Sequence, residues 1–510
     1  MNNAQDTPLD TLNKTLITIS VMLVAVIEVL DMTIVNVALP QMMGQLGANS
    51  DQITWVLTSY VVSSAILMPM TGFLAARVGQ KKLLMINVIG FMITSGLCGM
   101  STSLGEIVLF RTLQGVFGAS LVPMSQTILR NTFPIEKQAK AMAIWGIGIM
   151  VAPVLGPTVG GYITDAASWR WVFYINVPFC IMAAIMIIFC IQETPREHSK
   201  IDWLGIMLLV IGVGSLQIFL DRGNTSNWFD SKMITLLAVM AFAGLGMFIS
   251  RGRRLKEKNI INFSLFRDRN FCLCTIMLAI YCMGALGILT LRPLMMEHLI
   301  GYTAKTAGLA MAPSGIASAF GMIIASMLMK HISPKIILIA GVLLSMAASY
   351  TMATQSLLTM SFEVLQIQSL FLGLGMGFVF LIISSVSLST LRGREMADGA
   401  GLFSFGRNLG VSIGISLLST LVTRATQTNW NQLSEHVYSG NSALNVWLQA
   451  HNATLQNPQT IARLGELVAN QANLIAFSDA YWITAIGFTA LIPLAFFLKP
   501  PKALTMGAGH

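Results

Sequence analysis

Runs of roughly 18 or more nearly uncharged residues recur from one end of this chain to the other, each long enough to cross about 30 Å of hydrocarbon as a helix. They predict spans near 15–38, 54–76, 83–101, 106–128, 139–161, 171–191, 203–220, 232–250, 271–293, 306–329, 335–353, 363–386, 399–422 and 480–498, fourteen in all. The polar stretches between them share the cations unevenly, and short cytoplasmic loops are where Lys and Arg accumulate. One set of alternate loops holds Arg77, Lys81, Lys82, Arg130, Lys137, Lys140, the cluster RGRRLKEK at 251–258, Arg267, Arg269, Lys330, Lys335, Arg392, Arg394, Lys499 and Lys502. The other set holds only Arg170, Arg222, Lys232, Lys305, Arg424 and Arg463. This asymmetry predicts that the tails 1–14 and 499–510 are both cytoplasmic and that the polar segment 424–479 lies outside.

That segment is the only polar piece of any size, with Trp430, Trp447 and a helical-looking run from Pro458 to Ala476. Structureless loops beyond about 15 residues are uncommon and usually functional. Two readings stand: a surface for a periplasmic or extracellular partner, or a partly helical lid.

Composition agrees with the spans. The chain has 510 residues, 55% hydrophobic and 10% charged, with a mean hydropathy of +0.71, whereas a soluble domain carries about a quarter charged residues. The reading is an all-α integral membrane protein. A net charge of +9 would suggest nucleic acid only if the cations clustered on one soluble face, and they do not. The first apolar run is too long for a cleaved signal and is read as a retained span. All six cysteines lie in or beside apolar runs without metal-like CxxC pairs, which suits small buried hydrophobes.

The two halves echo each other. RVGQKKLLMI at 77–86 and KHISPKIILI at 330–339 each have a cation, a second cation five residues on, and an apolar restart. Repeats of this kind build transporter folds. They divide the chain into a six-helix bundle over 15–191, an inserted pair of spans over 203–250, and a second six-helix bundle over 271–498 that includes the outer segment.

Few ionisable residues fall well inside the spans: Glu28, Asp31, Arg111, Arg292 and Arg407, with Glu297 and Glu363 nearer the ends. Each would cost roughly 2.5 to 3.5 kcal/mol facing lipid, so such residues normally face an internal cavity. Glu28 and Asp31, at i and i+3, share one face of the first span with their carboxyls close enough to interact. They are expected to titrate as a unit. A group that can be protonated or bare within reach of a cavity is what a proton-coupled carrier requires. The alternative is that Asp31 only accepts hydrogen bonds from a neighbouring helix or pairs permanently with Arg111.

In VAPVLGPTVGG at 151–161, Pro153 and Pro157 remove backbone donors while Gly156, Gly160 and Gly161 permit close helix contact, which predicts a kinked, tightly sealed fifth span. GLGMG at 373–377 and GVSIG at 410–414 read as helix packing.

These motifs resemble the major facilitator superfamily in its fourteen-span drug:proton antiporter branch of the EmrB/QacA type. LDMTIVNVALP at 30–40, with Asp31, Asn36 and Pro40, resembles that branch's first-span signature. GFLAARVGQKK at 72–82 resembles the cytoplasmic loop motif, FRTLQGVFGAS at 110–120 the fourth-span motif, APVLGPTVGG at 152–161 the antiporter motif, and WRWVFYINVP at 169–178 the start of the sixth span. LFRDRNF at 265–271, GYTAKTAGL at 301–309 and FSFGRNLGVSIG at 403–414 extend the resemblance nearly end to end.

The resemblance implies two six-helix bundles around a central cavity, rocking between inward and outward states, with proton entry driving export of hydrophobic or amphiphilic compounds. It implies no cofactor beyond the proton gradient. Arg111 is then associated with proton handling beside Asp31 and Glu28, and Gly72, Arg77, Gly79 and Lys82 with gating, together with the proline and glycine residues of the fifth span. Asn36, Gln114, Arg292, Glu297 and Arg407 are the expected cavity residues. Ala76 departs from the pattern, because the loop motif commonly has an acidic residue there, and the usual charge pairing at that gate is in doubt. The long outer segment resembles members that work with a membrane-fusion adaptor and an outer-membrane channel, which places this chain in a Gram-negative inner membrane.

Other classes fit poorly. No GxxxxGK[ST] occurs, and GYTAKT at 301–306 has the wrong glycine spacing for a nucleotide site. His198, His298, His331, His436, His451 and His510 are scattered, with no catalytic or metal grouping. The competing readings are a carrier of the same fold for one metabolite, siderophore or lipid, and a non-transporting membrane scaffold or sensor.

Overall fold

The computed structural model describes residues 8–196, 202–255, 260–355, 360–391, 394–438, 440–451 and 453–499. Arg392, Lys502, residues 256–258 of the basic cluster and most of both tails lie outside them. A backbone in hydrocarbon must satisfy its own polar groups, so long apolar runs become helices.

In chain order these are α1 (Pro8–Leu46), α2 (Ser50–Ile53), α3 (Trp55–Leu67), α4 (Thr71–Val78), α5 (Gln80–Met100), α6 (Leu104–Gly118), α7 (Leu121–Thr132), α8 (Ile135–Ala166), α9 (Trp171–Tyr174) and α10 (Asn176–Cys190). There follow α11 (Trp203–Arg222), α12 (Lys232–Leu255), α13 (Arg269–His298), α14 (Ala304–Leu328), α15 (Pro334–Thr354), α16 (Phe362–Ser387), α17 (Arg394–Ser434), α18 (Ser442–Ala450), α19 (Pro458–Thr489) and α20 (Leu491–Phe496). Among the described residues 13 helical segments are long and apolar enough to cross a membrane, and α8 makes a fourteenth, bent by 47° between Lys137–Pro153 and Thr158–Ala166. The bend falls across the two prolines.

One packing pattern occurs twice. In the first half α1 packs on α8 and α10, α6 on α3 and α5, and α5 on α10; in the second, α13 packs on α17 and α19, α16 on α14 and α15, and α15 on α19. Glycine sets the closest crossings. A side chain at Gly156 would overlap the Thr33 hydroxyl, one at Gly373 the Ser314 carbonyl, and one at Gly414 the Met283 carbonyl. The three glycine motifs are therefore where α8 meets α1, α16 meets α14 and α17 meets α13. The surplus helices α11 and α12 pack chiefly on each other, with α11 also against α3 and α17. Asp202 fastens them: Oδ1 accepts from the Gly205 N–H (3.1 Å), and the two oxygens accept from Nε and Nη2 of Arg251 (2.9 Å each). The Arg251 guanidinium holds the Asp202 carboxyl below its usual range.

The polar segment 424–479 is mostly helical. α17 runs unbroken from its span to Ser434, and α19 begins at Pro458, capped by Asn457, and continues into the last span. The two extensions are joined by Thr426 Oγ1 donating to Asn473 Oδ1 (2.9 Å) and Asn429 Nδ2 to the Ala472 carbonyl (3.4 Å). α18 caps them, burying Leu444 and Leu448 against Leu464.

Candidate functional site

Near the middle of α1, five helices, α1, α3, α5, α6 and α10, deliver polar groups into the core of the first half. Asp31 is 0% exposed and Arg111, on α6, is 1% exposed. Arg111 Nη1 donates to Asp31 Oδ2 (2.6 Å) and Gln114 Oε1 (2.9 Å), while Nε donates to the Val56 carbonyl (3.1 Å). Asp31 Oδ1 accepts from Gln114 Nε2 (3.1 Å) and Asn176 Nδ2 (2.7 Å), and Asn176 also donates to Ser95 Oγ (3.0 Å). The guanidinium lies 4.3 Å from the Tyr60 ring centroid. Both charges are thus compensated on every side, as a buried ion pair requires.

Glu28, one turn earlier, is different. It is 1% exposed, yet neither carboxylate oxygen has a hydrogen-bond partner. Val24, Ala25, Ile27 and Val29, its neighbours along α1, belong to the buried apolar core, and Tyr60, whose hydroxyl is also unpartnered, lies within electrostatic reach. Electrostatically Glu28 is reached by Asp31 and by Arg407 on α17 of the other half. The two carboxylates of the first span therefore sit in opposite environments.

The halves are closed together at the basic end of the helices. α17 packs there on α4 and α7. Gly72 lies so close to Asp398 that a side chain would overlap the carboxylate, and Asn408 Nδ2 donates to Met68 Sδ (3.6 Å). Arg130, buried at the end of α7, donates through Nη2 to the carbonyls of Ser384 (2.7 Å) and Ser385 (3.1 Å) on α16. Trp145 stacks on Phe380 across the same seam, with centroids 6.3 Å apart. At the opposite end α1 exposes Asn36 and Pro40, and α8 exposes Leu155 and Thr158.

Other expected residues are dispersed. Gln114 joins the Asp31 cluster, and Asn36 is exposed with its amide on the Met32 carbonyl of its own helix (3.4 Å). Arg292 is buried inside the second half, Glu297 is half-buried near the end of α13, and Arg407 is half-buried. Arg77 and Lys82 are exposed, whereas Gly79, at φ 96° and ψ 146°, turns the chain between α4 and α5 as only glycine does readily. Pro153 is half-buried, the side chain of Pro157 lies outside the described residues, and a side chain at Gly160 would crowd Ile34 while one at Gly161 would make only ordinary contact with Val37. Sequence reasoning missed Asn176 and Asp398 and treated Arg130 as a loop cation. Asn176 falls within the WRWVFYINVP motif without being singled out and no local signal marks Asp398, but Arg130 ends a stretch of which all of 121–130 is buried.

Arg130→Ala should loosen this seam. Losing its charge-assisted bonds, each worth roughly 1.5–3 kcal/mol, should speed modification of a cysteine placed at Ser387 by a membrane-impermeant maleimide about tenfold or more. An unchanged labelling rate would rule out a latch here.

Comparison with known proteins places this architecture. The family model described as Major Facilitator Superfamily matches residues 21–415. The chain is 34% identical over 508 residues to the multidrug export protein EmrB of Escherichia coli K12, covering 99% of both, and 35% identical over 502 residues to the fatty acid resistance protein FarB of Neisseria gonorrhoeae, covering 97% of both. Among solved structures it resembles the human organic anion transporter MFSD10 (TETRAN), with a TM-score of 0.60 at 13% identity over 93% of this chain and 99% of that one. With a matched model over most of its length and relatives aligned nearly end to end, this multi-pass membrane protein belongs to the Major Facilitator Superfamily of transporters, not to the enzymes.

Proposed function

We propose that this transporter is a proton-coupled antiporter that exports hydrophobic or amphiphilic toxic compounds across a bacterial inner membrane by alternating access. The observation that carries the reading is Glu28, a buried carboxyl with no partner at either oxygen, one turn from an Asp31 whose charge is fully compensated. An unpartnered carboxyl at mid-membrane is costly as a fixed charge, but suits a group that takes up and gives up a proton. The cargo class follows the names of the relatives, multidrug export and fatty acid resistance. Closure at the basic end with exposure at the other fits one limb of the cycle, with both termini cytoplasmic and the helical extensions of α17 and α19 outside.

Those extensions, α18 and the link before it expose Trp430, Tyr438, Val446, Ile461 and Leu467, apolar side chains suited to a periplasmic membrane-fusion adaptor that leads to an outer-membrane channel. The transport reading is tested in proteoliposomes. An imposed proton gradient should drive uptake of hydrophobic dyes into inside-out vesicles, and substrate addition should release protons. If neither is seen with dyes, detergents or fatty acids, the antiporter reading fails.

A further inference from the structure

The helices α11 and α12 are two spans beyond the packing pattern that the halves share. A span meant only for lipid gains nothing from polar side chains, which rarely face hydrocarbon. Yet α11 carries Gln217 and Asp221 one turn apart on one face, with Asn224 just past its end. These groups reach both halves of the molecule. Gln217, 3% exposed, donates through Nε2 to Ser412 Oγ on α17 (2.7 Å). Asn224 Nδ2 reaches Thr423 Oγ1 (3.4 Å), and Trp228, in the turn after α11, donates through Nε1 to Thr420 Oγ1 (3.0 Å). The Trp228 ring is held edge-on against Phe219 of α11, with centroids 5.1 Å apart. On the other side Thr58 of α3 donates to the Asp221 carboxylate, and the Arg222 guanidinium lies 4.6 Å from the Trp55 ring centroid. Lower on the same contact a side chain at Gly214 would crowd Ile66 of α3.

The two flanks between the halves are closed in different ways. On one, α8 packs directly on α14. On the other, α17 packs on α4 and on the turn Met68–Met70 at the basic end, but toward the opposite end it touches α3 only slightly, and α11 lies against both. Without α11 the hydroxyls of Thr58, Ser412, Thr420 and Thr423 would border lipid at that flank, and hydrocarbon offers a polar group no partner. α11 supplies those partners. Away from the halves the pair exposes Leu204, Met207, Leu236, Val239 and Phe242, side chains that suit hydrocarbon. The bonds to α17 join neutral groups, and such bonds are weak enough to be exchanged when helices slide.

We propose that α11, backed by α12, is a lateral seal: it closes the flank between α3 and α17 against lipid at the end opposite the basic loops, and it keeps hold of both halves there. The seal holds for any cargo, and lipid access is measured without gradient or substrate. Full-length protein carrying a small trifluoroethylthio label on Ser412→Cys is placed in nanodiscs containing spin-labelled phosphatidylcholine. Its fluorine resonance should be broadened several-fold less than that of the same label on Leu417→Cys, which is 52% exposed on the same helix. Equal broadening at the two sites overturns the seal. The hold on both halves rests on the alternating-access reading and is tested by tying α11 down. A short bifunctional methanethiosulfonate should join Gln217→Cys to Ser412→Cys, and mild oxidation should join Thr58→Cys to Asp221→Cys. Dye exchange in proteoliposomes should survive either link alone, and should stop when both are present and return on reduction with dithiothreitol. Exchange unimpeded with both links formed overturns the hold, even where gradient-driven export is intact in the parent chain. A parent chain that moves no cargo, with the Ser412 label shielded and both links formed, overturns the exporter reading and leaves the seal standing.

Discussion

Glu28→Gln is expected to reduce gradient-driven export to background while leaving the protein as stable as before and still able to bind cargo. The expectation follows from what the residue lacks. Replacing a carboxyl that has hydrogen-bond partners strands those partners, and the cost is their desolvation. Neither oxygen of Glu28 has a partner, so an amide of the same shape strands nothing. Stability and function should therefore separate cleanly here, which is uncommon for a buried ionisable side chain. The measurement pairs a thermal unfolding curve in detergent with dye transport in proteoliposomes, each on the same preparation. Exchange of dye down its own gradient should persist in the variant, because the cavity is intact and only the proton carrier is gone. Full gradient-driven activity in Glu28→Gln would falsify the assignment of coupling to this residue.

The position of Glu28 explains why coupling could reach the whole molecule. It lies on α1 of the first half, yet Arg407 on α17 of the second acts on it. A proton arriving at Glu28 removes the charge that Arg407 attracts. In the alternating-access reading proposed above, movement of the halves would change the distance between them, so protonation and rocking would bias each other.

Sequence alone made much of this legible. Hydropathy located the spans, because the bilayer imposes a length that few other folds need. The glycine motifs marked the helix crossings, because only a missing side chain allows backbones so close. Hydropathy failed where it had no purchase. The polar part of α17 read as loop and the helical-looking run from Pro458 was not joined to the last span, although Ala, Gln, Leu and Asn carry each helix well past the span. Charge rules also misled at Arg130, since a cation near a cytoplasmic loop is expected to be solvated and this one is buried on carbonyls of the other half. Ala76 raised doubt about charge pairing at the gate. The structure brings a carboxylate from a distant part of the chain, Asp398, against Gly72, one turn before Ala76, and no local pattern could have supplied it. Asn176, likewise, looked like one letter of a motif until three helices brought it to Asp31.

Asp31→Asn should behave as the converse of Glu28→Gln, with stability falling together with activity. Arg111 would keep its bonds to Val56 and Gln114 but lose the carboxylate it pairs with in a fully buried site. Breaking a buried pair from one side costs roughly 3–5 kcal/mol, because a charge is left uncompensated, whereas removing both partners costs far less. The double variant Asp31→Asn with Arg111→Gln should therefore be more stable than Asp31→Asn alone. Arg111→Gln by itself should be milder than Asp31→Asn, since Asn176 and Gln114 still donate to the carboxylate. Unfolding midpoints of the wild type and three variants close a double-mutant cycle, and its coupling energy measures the pair rather than either residue. A cycle near zero would mean that the pair is incidental to the fold. A large one, combined with export restored in the double variant, would make Asp31 a structural anchor and leave Glu28 alone as the proton carrier. Export lost in the double variant despite recovered stability would assign Asp31 a share of the coupling, and the first span would then carry two carboxylates with two different tasks.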